Sequence, residues 1–317
     1  MKPLTNSVSG TGASALPSAD LEMPGRENDP APDGVGPGPV QAPASAGRSR
    51  ELVLRIVSSI VILPPVILLF WLGNYYFLIL VALLSAAMAW EWCNLVAPGS
   101  APAISRLTAL VAAMLVGLAA CSLWLPSALL ALCGLPLVHA VAVRLLTGAW
   151  TLKLLPGLLI AFAPAFAIYW VRVMPDHGLD TALWLALSVV ITDVAAYAAG
   201  RTIGGPKIWP RVSPNKTWAG LIGGMAGSAG FGALLALNLG HEPGLIALAG
   251  AVIAIVAQAG DFAESALKRY FDVKDSGRLI PGHGGILDRV DGQVTVLPLA
   301  AALMLLSGKS ILLWTWP

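Results

Sequence analysis

Asp261, Ser265 and Lys268 stand at i, i+4 and i+7, with Glu264 beside them. Helical spacing puts them on one face. They end a long apolar run, and ionisable groups at a membrane edge are costly enough to be functional candidates by default. The plain alternative is a solvated helix end with its own salt bridges, with Lys268 and Arg269 as surface anchors. Further on, Asp288 and Asp291 are spaced i, i+3 where another apolar helix begins. Both carboxylates then share a face near the positive end of the helix dipole. Hard oxygen ligands so arranged suit Mg²⁺, which takes one or two carboxylates together with substrate phosphates. Alone, the pair fits a helix cap or a salt bridge equally well. Asp261 at the other end of the 262–287 loop, and the basic residues between, strengthen the metal reading.

The same loop contains Gly282, His283, Gly284 and Gly285. Glycines let a backbone approach phosphate and aim N–H groups at it; a flexible turn before a helix is the alternative. His283 reads as a phosphate contact, because no second His or Cys lies at zinc spacing. An earlier loop, 200–217, ends in Ser213, Lys216 and Thr217 just before a helix starting near Trp218. A helix N-terminus with hydroxyl caps and a cation is a ready anion site. Gly308-Lys309-Ser310 resembles the end of a Walker A loop, but Leu303 fills the required first glycine position.

These residues need elements to position them, and the composition says which. Of 317 residues, 57% are apolar and 11% charged, and the mean hydropathy is +0.77. Soluble domains carry about 25% charged residues, so an ordinary soluble enzyme is excluded. From Leu52 onward nine apolar segments follow: 53–72, 75–96, 106–125, 127–146, 154–173, 180–199, 218–239, 244–264 and 291–313. Each is about long enough to span a bilayer. The fold expected is all-α, a polytopic membrane protein of about nine helices over 51–317. Residues 1–50, rich in Pro, Gly, Ala and Ser, read as a disordered tail. Nine spans place all but Arg172 and Lys309 of the 19 basic residues on one side. The positive-inside rule makes that side, and the N-terminus, cytoplasmic. Both polar loops fall there too. A transporter more often keeps its polar groups near mid-membrane. The net charge of +2 gives no sign of nucleic acid binding. Cys93, Cys121 and Cys133 lie inside apolar segments and read as buried thiols.

The stretch Ser265–Asp291 closely resembles the hallmark of the phosphatidate cytidylyltransferase family, the CDP-diacylglycerol synthases. The resemblance rests on Ser265, Lys268-Arg269, Lys274-Asp275, Pro281-x-His283-Gly284-Gly285 and Asp288-Arg289-x-Asp291. Upstream, Asp193, Tyr197, Gly200, Arg201 and the run SPNKTWAG from Ser213 resemble a second family motif. Ala219 departs from it, since many relatives carry Glu or Gln there. The resemblance implies that phosphatidate and CTP give CDP-diacylglycerol and pyrophosphate. It implies Mg²⁺ on Asp261, Asp288 and Asp291, and a second cation for which K⁺ is the candidate. Lys216, Lys268, Arg269 and Lys274 become candidate clamps on the triphosphate or lipid phosphate. It further implies a multi-pass protein of the bacterial inner membrane that works beside membrane lipids as a homodimer.

A CTP-dependent lipid-alcohol kinase is the competing enzyme; it would leave CDP rather than pyrophosphate. A transporter is the third reading. Gly220, Gly223, Gly224, Gly227 and Gly230 stud the seventh segment. Such small-xxx-small spacing allows close helix approach, within the chain or between two copies. Glu91, between Trp90 and Trp92, reads as part of the cytoplasmic interface and receives no catalytic role.

Overall fold

The computed structural model describes residues 44–121, 125–174 and 176–315; most of the stretch read as a tail lies outside them. The chain divides into Met1–Ala44 and Ser45–Pro317, and the second unit carries all the chemistry below. Its helices are α1 (Ala44–Leu72), α2 (Asn74–Val96), α3 (Pro102–Cys121), α4 (Leu125–Thr147), α5 (Leu154–Val173), α6 (Gly178–Thr202), α7 (Trp218–Asn238), α8 (Pro243–Tyr270) and α9 (Leu287–Ser307). Eight of the nine are long and apolar enough to cross a membrane, and in α4 the described apolar part is Gly134–Thr147. This is an integral multi-pass membrane protein.

Three boundaries differ from expectation. α1 starts at Ala44, inside the stretch read as tail. The last apolar segment breaks at Gly308, whose φ of +69° ends α9, and continues as a short 3-10 turn over Ile311–Leu313. The 200–217 loop contains a small hairpin, β1 (Lys207–Trp209) with β2 (Ser213–Thr217), that hydropathy cannot reveal.

Two helix groups form the core. α2, α3, α4 and α5 pack together, as do α6, α7, α8 and α9, and α5 joins them by lying against both α6 and α9. Lipid is as apolar as leucine, so close packing and internal hydrogen bonds must hold such a bundle. The α7 glycines serve this inside the chain. A Cβ on Gly227 would lie 2.7 Å from that of Ala195 on α6, and one on Gly232 would lie 2.8 Å from the Ile246 carbonyl of α8.

α1 is different. Val57, Ile60, Val61 and Leu63 are each more than half exposed, which suits a lipid-facing helix. Polar contacts fix its ends. Arg172 donates to the Phe70 and Trp71 carbonyls at 3.3 and 3.1 Å, satisfying acceptors that a helix C-terminus leaves open. Near its other end, Arg55 Nε donates to the Gly282 carbonyl at 2.9 Å.

Candidate active site

The site lies where α8 crosses α9. A Cβ on Gly260 would stand 2.5 Å from Thr295 Oγ1 and 2.7 Å from the Asp291 carbonyl. Gly292 is also tightly enclosed: a Cβ there would stand 2.9 Å from Val189 Cγ1 of α6 and 3.2 Å from the Ala257 Cβ of α8. Each glycine therefore presses its helix onto the other, and the neighbouring carboxylates are forced together. One oxygen from each of Asp261, Glu264 and Asp291 lies within 4.8 Å of the others. Like charges so close repel unless a cation sits among them. Both Glu264 oxygens are shielded from solvent, and Oε2 lies 2.5 Å from the Lys268 ammonium. Lys268 is their one ion-pair partner among the described residues.

Asp288 stands outside this cluster. Its Oδ1 accepts from Lys268 Nζ at 3.0 Å, and its two oxygens share the Ser276 N–H at 3.1 Å. Oδ2 also accepts from the Gly285 N–H at 2.9 Å. Asp288 thus closes the 276–285 loop over the start of α9, while Glu264 holds the place in the acidic cluster that the sequence suggested for Asp288.

Two cavities reach the cluster from different members, one at Asp261 and the other at Glu264 and Asp291. A polar one of about 580 Å³ contains Asp193, Tyr197, Arg201, Lys207, Lys216 and Asp261. Lys216 Nζ is 2.5 Å from Asp261 Oδ2 and 4.3 Å from the Phe262 ring centre. Thr217 caps α7 by accepting from the Gly220 N–H at 3.0 Å. Arg201 donates to Tyr197 Oη at 2.6 Å. Ser265 Oγ donates to Asp261 Oδ1 at 3.3 Å. The second cavity, about 330 Å³, is mostly apolar: Leu95, Ile160, Leu267 and Val294 lead up to Glu264, Lys268 and Asp291.

A third, strongly basic cavity of about 630 Å³ gathers Arg55, Lys274, Asp275, Arg278, His283 and Arg289. Arg289 donates twice to the His283 carbonyl, at 3.0 and 2.7 Å, and Ser58 Oγ lies 3.0 Å from His283 Nδ1. The glycines between have local reasons to be glycine. Gly282 and Gly284 take φ of +77° and +82°, a region other residues avoid. The Gly285 N–H, a candidate phosphate donor on sequence grounds, is occupied by Asp288.

Several expected residues stand apart. Ser213 pairs with Trp209 in the hairpin and lines none of these cavities. Arg269 is exposed on the last turn of α8 and forms no ion pair with a described residue. Sequence reasoning gave no role to Arg55 or Ser58, whose helix lies far back in the chain. It also gave none to Glu91, whose carboxylate accepts from the Ile286 and Leu287 N–H groups at 2.9 Å each.

A family model described as the cytidylyltransferase family matches residues 53–307. The chain belongs to that family. It is 40% identical over 264 residues to the phosphatidate cytidylyltransferase of Brucella suis biovar 1, covering 81% of this chain and 93% of that protein. The Brucella abortus biovar 1 enzyme of the same name is similar to the same extent. A phosphatidate cytidylyltransferase of Staphylococcus haemolyticus is 44% identical over 132 residues, 41% of this chain and 51% of that protein. The family match begins at Val53, beyond nearly all of the stretch read as tail.

Proposed function

We infer that this chain transfers CMP from CTP to phosphatidate, giving CDP-diacylglycerol and pyrophosphate. The observation that carries the reading is that a cavity with three basic residues and an apolar cavity both reach one carboxylate cluster. A reaction between a water-borne polyanion and a lipid needs such a meeting point. A phosphatidate phosphate oxygen attacks the α-phosphorus of CTP, a new P–O bond forms, and the bond to pyrophosphate breaks. Phosphatidate is already ionised, so no strong base is required. Catalysis must instead align two polyanions and offset their charge.

Lys216, Arg201 and Lys207 line the polar cavity and are assigned to the triphosphate. Leu95, Ile160, Leu267 and Val294 are assigned to acyl chains, with Lys268 facing the lipid phosphate. Asp261, Glu264 and Asp291 are assigned to Mg²⁺, and three carboxylates so closely spaced, with Lys268 shared between Glu264 and Asp288, fit a cation. Bound there, Mg²⁺ supplies positive charge to the phosphates. Five carboxylates (Asp193, Asp261, Glu264, Asp288, Asp291) face two contacting lysines, Lys216 and Lys268. That excess negative charge leaves room for a second cation, for which K⁺ is the candidate. Lys274, Asp275, His283 and Arg289, in the basic cavity, are assigned to recruiting the anionic reactants at the membrane surface. The chain is assigned to the bacterial inner membrane with its N-terminus cytoplasmic. Most of the α7 glycines pack inside the chain, Gly220, Gly223, Gly224 and Gly227 on α6 and Gly232 on α8, whereas a Cβ on Gly230 would meet nothing within 4 Å; the expected homodimer is left to a measurement of oligomeric state.

The test is incubation of the purified protein with phosphatidate, Mg²⁺ and CTP labelled in the α-phosphate. Labelled CDP-lipid and unlabelled pyrophosphate are expected. In a parallel incubation with a polyprenol or phytol in place of phosphatidate, labelled CDP with the phosphorylated alcohol would make the protein a kinase instead.

A further inference from the structure

We propose that Glu91, on α2, is a positioning residue for this reaction: it anchors the start of α9 so that Asp291 meets Asp261 and Glu264. The inference rests on the reading above but concerns a residue that touches no reactant. The Glu91 side chain is 1% exposed. Oε1 accepts from the Ile286 N–H and Oε2 from the Leu287 N–H, both at 2.9 Å. The Ser276 hydroxyl approaches Oε2 at 3.5 Å. Leu287 opens α9, so Glu91 supplies the acceptor that a helix N-terminus lacks, and its charge faces the positive end of the dipole. α9's own N-cap, Ile286, has no side chain able to cap it.

Glu91 is well placed to act as an anchor. Its neighbour Trp92 is 6% exposed and donates from Nε1 to the Lys153 carbonyl at 2.9 Å. That bond, with the indole packed on Gly157 of α5, fixes how α2 is rotated. The loop has also made room for the carboxylate. A Cβ on Gly277 would lie 2.5 Å from Oε1, and one on Gly285 would lie 2.7 Å from Oε2. Part of the glycine-rich loop is therefore glycine because of Glu91. Asp288 and Glu91 divide the work: Asp288 holds the loop to α9, and Glu91 holds α9 to α2. Asp291 rides on α9, one turn beyond the bonded residues.

Glu91→Gln nearly keeps the shape but turns one acceptor into a donor facing an N–H. Two measurements are made. The first is hydrogen exchange of a peptide covering 286–291 in metal-free protein. The second is the Mg²⁺ concentration for half-maximal formation of CDP-lipid. Exchange at least tenfold faster, with α7 peptides unchanged, and half-saturation raised at least fivefold are expected together. Because half-saturation rises when part of the protein is unfolded, it is measured below the onset of thermal unfolding of each variant, where a general loss of stability does not mimic the shift. Gly277→Ala, which presses on Glu91 from the loop side, is expected to give the same pair of changes. Unchanged exchange, or faster exchange with normal half-saturation, in both variants overturns the proposal. A wild-type protein that forms no CDP-lipid would instead defeat the functional reading, and leaves the exchange result to judge the anchor.

Discussion

Asn in place of Asp288 separates the carboxylate that builds the site from those that hold the ion. The Asp288 side chain is 7% exposed and receives three donors: Lys268 Nζ, the Ser276 N–H and the Gly285 N–H. Asparagine keeps one acceptor oxygen and presents an NH₂ group in place of the other. Turned toward Lys268, the NH₂ would meet an ammonium, so the milder choice faces it toward the Gly285 N–H and leaves that donor unsatisfied. A buried unsatisfied N–H costs about 1–3 kcal/mol. The bonds from Lys268 and Ser276 survive but lose a charged acceptor, at roughly 1 kcal/mol each, since charge-assisted bonds are about twice as strong as neutral ones. The total is about 3–5 kcal/mol, the range expected for breaking a buried pair. For a chain this size that corresponds to a fall in Tm on the order of 10 °C. Mg²⁺ half-saturation should move less than about threefold, because Asp288 is outside the three-acid cluster. Asp261→Asn should do the reverse: a modest change in Tm, but half-saturation raised at least about tenfold, the scale for losing even a group behind a ligand. The assays are thermal unfolding in detergent, followed by tryptophan fluorescence, and Mg²⁺ titration of CDP-lipid formation. An Asp288→Asn protein as stable as wild type, or one shifted in Mg²⁺ dependence as far as Asp261→Asn, would refute the division.

Two further predictions concern the polar cavity and the helix crossing. Lys216→Ala should raise KM for CTP roughly tenfold, the worth of a charged phosphate contact at 1.5–3 kcal/mol, and change KM for phosphatidate less than about twofold; steady-state kinetics with each substrate varied will show it. Gly260→Ala should lower stability by about 1–3 kcal/mol, the usual cost of overpacking, and raise Mg²⁺ half-saturation by spreading α8 from α9. Gly230→Ala, where a Cβ would meet nothing within 4 Å, is the matched control and should leave both unchanged in thermal unfolding and Mg²⁺ titration.

What was legible in the sequence follows from how far each signal reaches. A span is a local property of about 20 residues, and the nine apolar runs reappear as nine helices among the described residues. The face shared by Asp261, Ser265 and Lys268 is also local, and Ser265 does bond Asp261. Which carboxylates face one another is not local. It is decided by the crossing at Gly260 and Gly292, and nothing in a D-x-x-D spacing says which of its two members turns toward the partner helix. Asp288, in the first turn, finds loop N–H groups nearby; Asp291, about 100° around per residue for three residues, faces α8. Glu91 is the extreme case. It lies 196 residues from Leu287, between two tryptophans that suggest an interface, in a helix too uniformly apolar to show an inward face. Its meaning appears only when α9 is seen to begin without a cap. The glycines of the 282–285 loop then change meaning as well: two serve backbone turns and one makes room beside Glu91. Their N–H groups are no longer the argument for phosphate binding, which passes to the cations around them. The site is thus held by pairs distant in sequence, and its signature spacing is what remains visible of those pairs in one of the two partners.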